Sequence, residues 1–190
     1  MLHIIPAIPA GARFGFETGL KDYPVLTLVH IMPGLLFVLL GPALLRKRNL
    51  FLTSGRQPAL TWIFICSAGI VGLSAVAMPF ITLPLGGVNE AAASVLYGSI
   101  FLLETTQVLK AVLRHNFTAY HDWLLRTVAL GLAIATTRPV MVLAFVICKV
   151  SPQVFLGTAF WIAFTTHLCV AETWIYYSRT AQKLQCPGSS

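Results

Sequence analysis

The chain has 190 residues, of which 57% are hydrophobic and only 10% charged, with a mean hydropathy of +0.80. Those values exclude a soluble globular domain and put the chain in a membrane. The net charge of +7 would fit nucleic acid if the cations shared one folded face, but they flank apolar runs. Membrane topology explains them, and no nucleic-acid partner is expected.

In chain order, Met1 to Tyr23 carries Arg13, Glu17, Lys21 and Asp22 and reads as an exposed or interfacial arm. Met1 to Ala10 has no basic n-region and is interrupted by Pro6 and Pro9, so the first span rather than a cleaved signal is expected to direct insertion. That span covers about 24–45, long enough for a hydrocarbon core that needs about 20 residues. Pro33-Gly34 and Gly41-Pro42 would bend it, so it is expected to lean on neighbours that satisfy the freed carbonyls.

Arg46-Lys47-Arg48 stops the first span, and a second follows at about 58–80, with Pro58 suited to a first helical turn. Ala68, Gly69, Gly72 and Ala75 make a small-residue face that lets another backbone come close. After a link with Pro84 and Gly86-Gly87, a third span at about 91–113 carries Glu104, Gln107 and Lys110. The loop Arg114 to Asp122 leads to a fourth span at about 124–147, and the fifth, at about 154–177, carries His167 and Glu172. Residues from Ser178 onward form a polar tail.

These spans predict an all-α polytopic membrane protein, a bundle of five transmembrane helices. Arg46, Lys47, Arg48, Arg56, Lys110, Arg114, Arg126, Arg179 and Lys183 flank one side, against Arg13, Lys21 and Lys149 on the other. The bias favours N-out and C-in, with Trp123, Trp174, Tyr176 and Tyr177 in the inner aromatic belt.

Arg138, beside Pro139 in the middle of the fourth span, is the residue the rest must accommodate. A guanidinium stays protonated, and placing one at the bilayer centre costs roughly 2.5–3.5 kcal/mol on insertion scales. At about 1.5 Å per residue, depths from the non-cytoplasmic boundary are roughly 9 Å for His30, 14 Å for Arg138, 20 Å for Glu104 and His167, and 27 Å for Glu172. Depth therefore predicts two cross-helix ion pairs, Arg138 with Glu104 and Arg126 with Glu172. Pro139 frees the carbonyl of Ala135, for which Arg138 or a nearby threonine would be the donor.

The expected ligand pocket thus comprises His30, Glu104, Gln107, Arg126, Arg138, His167 and Glu172, with His115, His121 and Trp123 as inner-loop candidates. The bland alternative is that the paired charges only fix helix register. Haem b would need two imidazoles facing one iron; His30 and His167 differ in depth by roughly 10 Å, which argues against it. The four cysteines, Cys66, Cys148, Cys169 and Cys186, lack metal-ligand spacing, and those within apolar runs read as small packing residues, so no metal site is expected. HExxH, GxSxG and P-loop motifs are missing, and no inverted repeat marks a carrier.

His30 with Gly34 and Gly41-Pro42, then Gly55-Arg56, His121-Asp122-Trp123-Leu124-Leu125-Arg126, Arg138 and Ala171-Glu172, occur in an order that resembles a family of small bacterial membrane proteins, domain-of-unknown-function family 2306. Phe51-Leu52 stand where that family carries a His-Arg pair. The resemblance implies a multi-span protein with histidines and arginines gathered on the cytoplasmic side, and it implies no activity.

The sequence points first to a small-ligand-binding or accessory subunit, with the lipid bilayer and other membrane subunits or a second copy as partners. The alternatives are a redox protein holding haem b or quinone, and a membrane-embedded enzyme acting on a lipid or isoprenoid through Glu104, Glu172 or Asp122.

Overall fold

The computed structural model describes residues 22–46, 59–82, 84–149 and 152–185. Most of the expected N-terminal arm, the connection carrying Gly55-Arg56, and the last tail residues lie outside the described residues. Among the described residues the regular elements are five helices: α1 Pro24–Arg46, α2 Ala59–Ile81, α3 Gly87–Leu113, α4 Phe117–Cys148 and α5 Pro152–Gln185. Each is long and apolar enough to cross a membrane.

Polar residues at the helix starts set the boundaries where hydropathy alone is silent. At the start of α3 the backbone N–H of Gly86 donates to Glu90 Oε2 at 2.6 Å, so α3 begins at Gly87 rather than near Ala91. Asn116 caps α4, its side chain accepting from the N–H of Ala119 at 3.0 Å. The expected loop from Arg114 to Asp122 is therefore only Arg114 to Asn116, turned by His115 at a φ of 51°. Pro33, Pro42, Pro79 and Pro139 all lie inside helices that continue through them.

The centre of the bundle is shared by α3 and α4: α3 packs on α2, α4 and α5, while α4 packs on α1, α3 and α5. Phe37 of α1, only 2% exposed, is the hub. Its ring stacks on Phe64 of α2 at 5.0 Å between centroids and meets Phe101 of α3 edge-on at 5.3 Å. Gly131 of α4 sits directly against the Phe37 ring, and Gly41 of α1 faces Val128 of α4, so each helix yields a glycine to the other's bulky residue.

The α2–α3 seam repeats this exchange, Gly72 against Leu102 and Gly98 against Val76. Each exchange lets two backbones come close and interdigitates the bulky residue of one helix with the glycine of the other. The small-residue face of α2 is narrower than its sequence implies. Ala68 and Gly72 are buried, whereas a Cβ on Gly69 would meet nothing within 4 Å. Cys66 and Cys169 are likewise exposed on the outside of the bundle, not packed within it, because their helices turn those positions away from the core.

Candidate functional site

Two ion pairs join α4 to α5 near the end of the bundle where α3 passes into α4. Arg126 donates through Nε and Nη2 to the two carboxylate oxygens of Glu172, a bidentate fork whose second bond is 2.9 Å. Arg179 donates through Nε at 3.0 Å, and also through Nη2, to Oδ2 of Asp122. Helix spacing explains why both form. Asp122 and Arg126 are four residues apart on α4, and Glu172 and Arg179 are seven apart on α5, so each helix presents one acid and one base on a single face. Antiparallel packing then matches the opposite signs.

Around this crossing, the Arg126 guanidinium lies 4.5 Å from the centroid of the Trp123 ring, a cation–π contact that shares its charge. His121 Nδ1 stands 3.9 Å from Asp122 Oδ1. Glu104 of α3 is 4% exposed and within electrostatic reach of both Arg126 and Glu172. Its Oε2 is buried and has no hydrogen-bond partner among the described residues. A buried acceptor without a donor is expensive in a protein interior, more so in an apolar one. The Glu172 side chain, by contrast, is 55% exposed, so the cluster runs from the buried Glu104 to the surface of the bundle.

The other polar candidates are held elsewhere. His30 Nδ1 hydrogen-bonds Ser74 Oγ at 2.8 Å across the α1–α2 seam. His167 Nε2 hydrogen-bonds Thr136 Oγ1 at 2.8 Å across the α4–α5 seam. The two imidazoles belong to different seams, so these residues do not fit a bis-histidine haem. Gln107 is half-buried about one turn beyond Glu104. His115 is exposed in the α3–α4 link, while His121 and Trp123 are on α4 itself and not in a loop.

Arg138 does not make the expected pair with Glu104. It is exposed on the outer side of α4, and no ion pair involves it among the described residues. The physical reason is helical phase: Ala133 and Thr137 are the buried positions in this part of α4, and Arg138 points away from them. The nearby threonines are committed elsewhere, Thr137 donating to the carbonyl of Ala133 at 3.2 Å and Thr136 bonding His167. Depth along the helix axis contains no angle around the helix.

The sequence reasoning missed the Asp122–Arg179 pair, although the paired four- and seven-residue spacings were visible signals. It also missed the polar contacts at the other end of the bundle. There Trp161 Nε1 donates to Asn89 Oδ1 at 3.0 Å, and the hydroxyls of Tyr97 and Thr165 are 2.7 Å apart. Nothing short-range in the chain signals those. An open groove of about 600 Å³ runs along the outside of α5 beside Cys169, Thr173, Trp174 and Tyr177.

Comparison of the chain with protein-family models, curated proteins and solved structures found no match.

Proposed function

We propose that the chain is a multi-pass protein of a bacterial inner membrane, N-out and C-in, related to the family of unknown function that its sequence resembles, and that it serves as a small-ligand-binding subunit of a larger membrane assembly. The site is centred on Glu104, Arg126 and Glu172 with Trp123 beside them. The observation that carries this reading is the Glu104 carboxylate oxygen, buried and without a partner next to a complete Arg126–Glu172 fork. A network that only fixes helix register does so best when every member is satisfied. An unpartnered carboxyl oxygen suits a ligand that brings a hydroxyl or amine to hydrogen-bond with it. Half-exposed Glu172 gives that ligand an edge by which to enter between α4 and α5.

The test is a native mass spectrum of the gently solubilised protein, followed by solvent extraction of whatever is bound. Wild-type protein should retain a small molecule at about one per chain, and Glu104→Gln should lose it while keeping the bundle intact. Ligand-free wild-type protein, or the same adduct on both proteins, would reject the reading.

A second reading follows from the same convergence: Glu104 and Glu172 are two carboxylates beside one guanidinium, a set able to move a proton on a lipid or isoprenoid substrate. Under that reading Glu104→Gln would keep the bound molecule and stop its turnover.

A further inference from the structure

From Ile134 onward the outer side of α4 is uncovered. Ile134, Arg138, Val142 and Phe145 follow at intervals of four, four and three, which sets them in one stripe, and all four are exposed. The helix is anchored from the other side, by buried Ala133 and Thr137 and by the Thr136–His167 bond to α5. The stripe is therefore apolar except for one fixed cation.

Resting on the membrane-spanning reading, Arg138 lies nine residues from Ile147, the end of the apolar span, a rise of about 14 Å, which is near the midplane of a hydrocarbon core about 30 Å thick. Lipid phosphates are half a bilayer away from it, beyond what one side chain spans. The chain's own carboxylates are committed or misplaced. Glu90 accepts from Gly86, Asp122 and Glu172 hold Arg179 and Arg126, and Glu104 is buried on α3. Asp22 and Glu17 precede the first span. A second copy of the chain would bring the same acids, buried or paired in the same way, so it does not neutralise Arg138 either.

We infer that this face of α4 seats a transmembrane helix of a different membrane protein, one that presents an aspartate or glutamate to Arg138 at mid-bilayer. The apolar residues above and below the arginine supply the packing, and the charge pair sets which helix docks and in what register. The guanidinium's planar fork makes a bidentate carboxylate the matching acceptor.

The test places a photo-crosslinking amino acid at Val142, on the stripe, and separately at Leu103, exposed on α3, in the full chain within its native membranes. Val142 should capture one membrane protein through an apolar segment that contains an aspartate or glutamate, and Leu103 should not. Arg138→Leu, which eases insertion, should lower that adduct by about tenfold or more. Arg138→Glu should abolish it, and replacing the captured carboxylate with arginine should restore it. Adducts only to lipid or to a second copy, a captured segment lacking a carboxylate, or an undiminished yield with Arg138→Leu would each overturn the inference. Washing the membranes with alkaline carbonate separates the two levels. Protein retained in the membrane yet free of the adduct refutes the docking alone, and protein released by the wash refutes the membrane reading beneath it.

Discussion

Replacing Gly131 with alanine should destabilise the bundle even though alanine is the better helix former. The added Cβ would fall onto the Phe37 ring closer than real Cβ atoms approach, and would also stand 3.3 Å from Phe101. Phe37 has no room to retreat, being 2% exposed, stacked on Phe64 and edge-on to Phe101. Displacing it disturbs two aromatic contacts of about 0.5–1.5 kcal/mol each, and overpacking adds about 1–3 kcal/mol. Helix propensity returns at most about 1 kcal/mol. The expected net loss is about 2 kcal/mol. It would be read as a lowered midpoint in reversible unfolding by SDS in mixed micelles, with Gly69→Ala as the control because its Cβ enters open space. Phe37→Leu in the Gly131→Ala background should recover part of the loss. A Gly131→Ala protein as stable as wild type would mean that α1 and α4 do not meet at this ring.

The same unfolding assay checks the polar contacts. A double-mutant cycle of Arg126→Gln and Glu172→Gln should give a favourable coupling above the average of about 0.6 kcal/mol for hydrogen bonds between membrane helices and up to their maximum of about 1.7, because the fork is bidentate and charged; a value of zero would dissolve the fork. Ser74→Ala leaves His30 Nδ1 without its hydroxyl and should lower stability by about 1 kcal/mol, an effect that vanishes in a His30→Phe background. Asn116→Ala removes the cap of α4 and should cost about 1 kcal/mol, with faster amide exchange confined to the helix's first turn; exchange unchanged at Ala119 would contradict the cap.

How much of this was legible in the chain depends on which physical signal each feature uses. Hydropathy finds apolar length, and the cores of the five helices are apolar length. Hydropathy is blind to polar turns that stay helical, and so the starts of α3 and α4, fixed by Glu90 and Asn116, needed the capping geometry. Residues 178 to 185 read as a tail by composition, yet α5 continues through Gln185, with Arg179 tied to Asp122 of α4. The site divided in the same manner. Arg126 and Glu172 were findable because depth and opposite charge sufficed to pair them. Arg138 was assigned to Glu104 by the same rule, and there the rule failed, since a step of one residue, about 100° around α4, separates buried Thr137 from exposed Arg138. Cross-seam bonds such as His30 to Ser74 depend on which helices are neighbours, and that information is distributed over the glycine and phenylalanine contacts of the whole bundle rather than held in any one stretch.

The account rests on these helices crossing a bilayer side by side, and α1 offers the cleanest view because most of it faces outward. Leu28, Met32, Leu35 and Leu39 form an exposed stripe along it. Spin labels at these four positions in reconstituted vesicles should collide freely with dissolved oxygen and scarcely with a water-soluble nickel chelate, with the greatest contrast at Met32 and Leu35, near the middle of the span. Strong nickel collisions at those two positions would contradict the account.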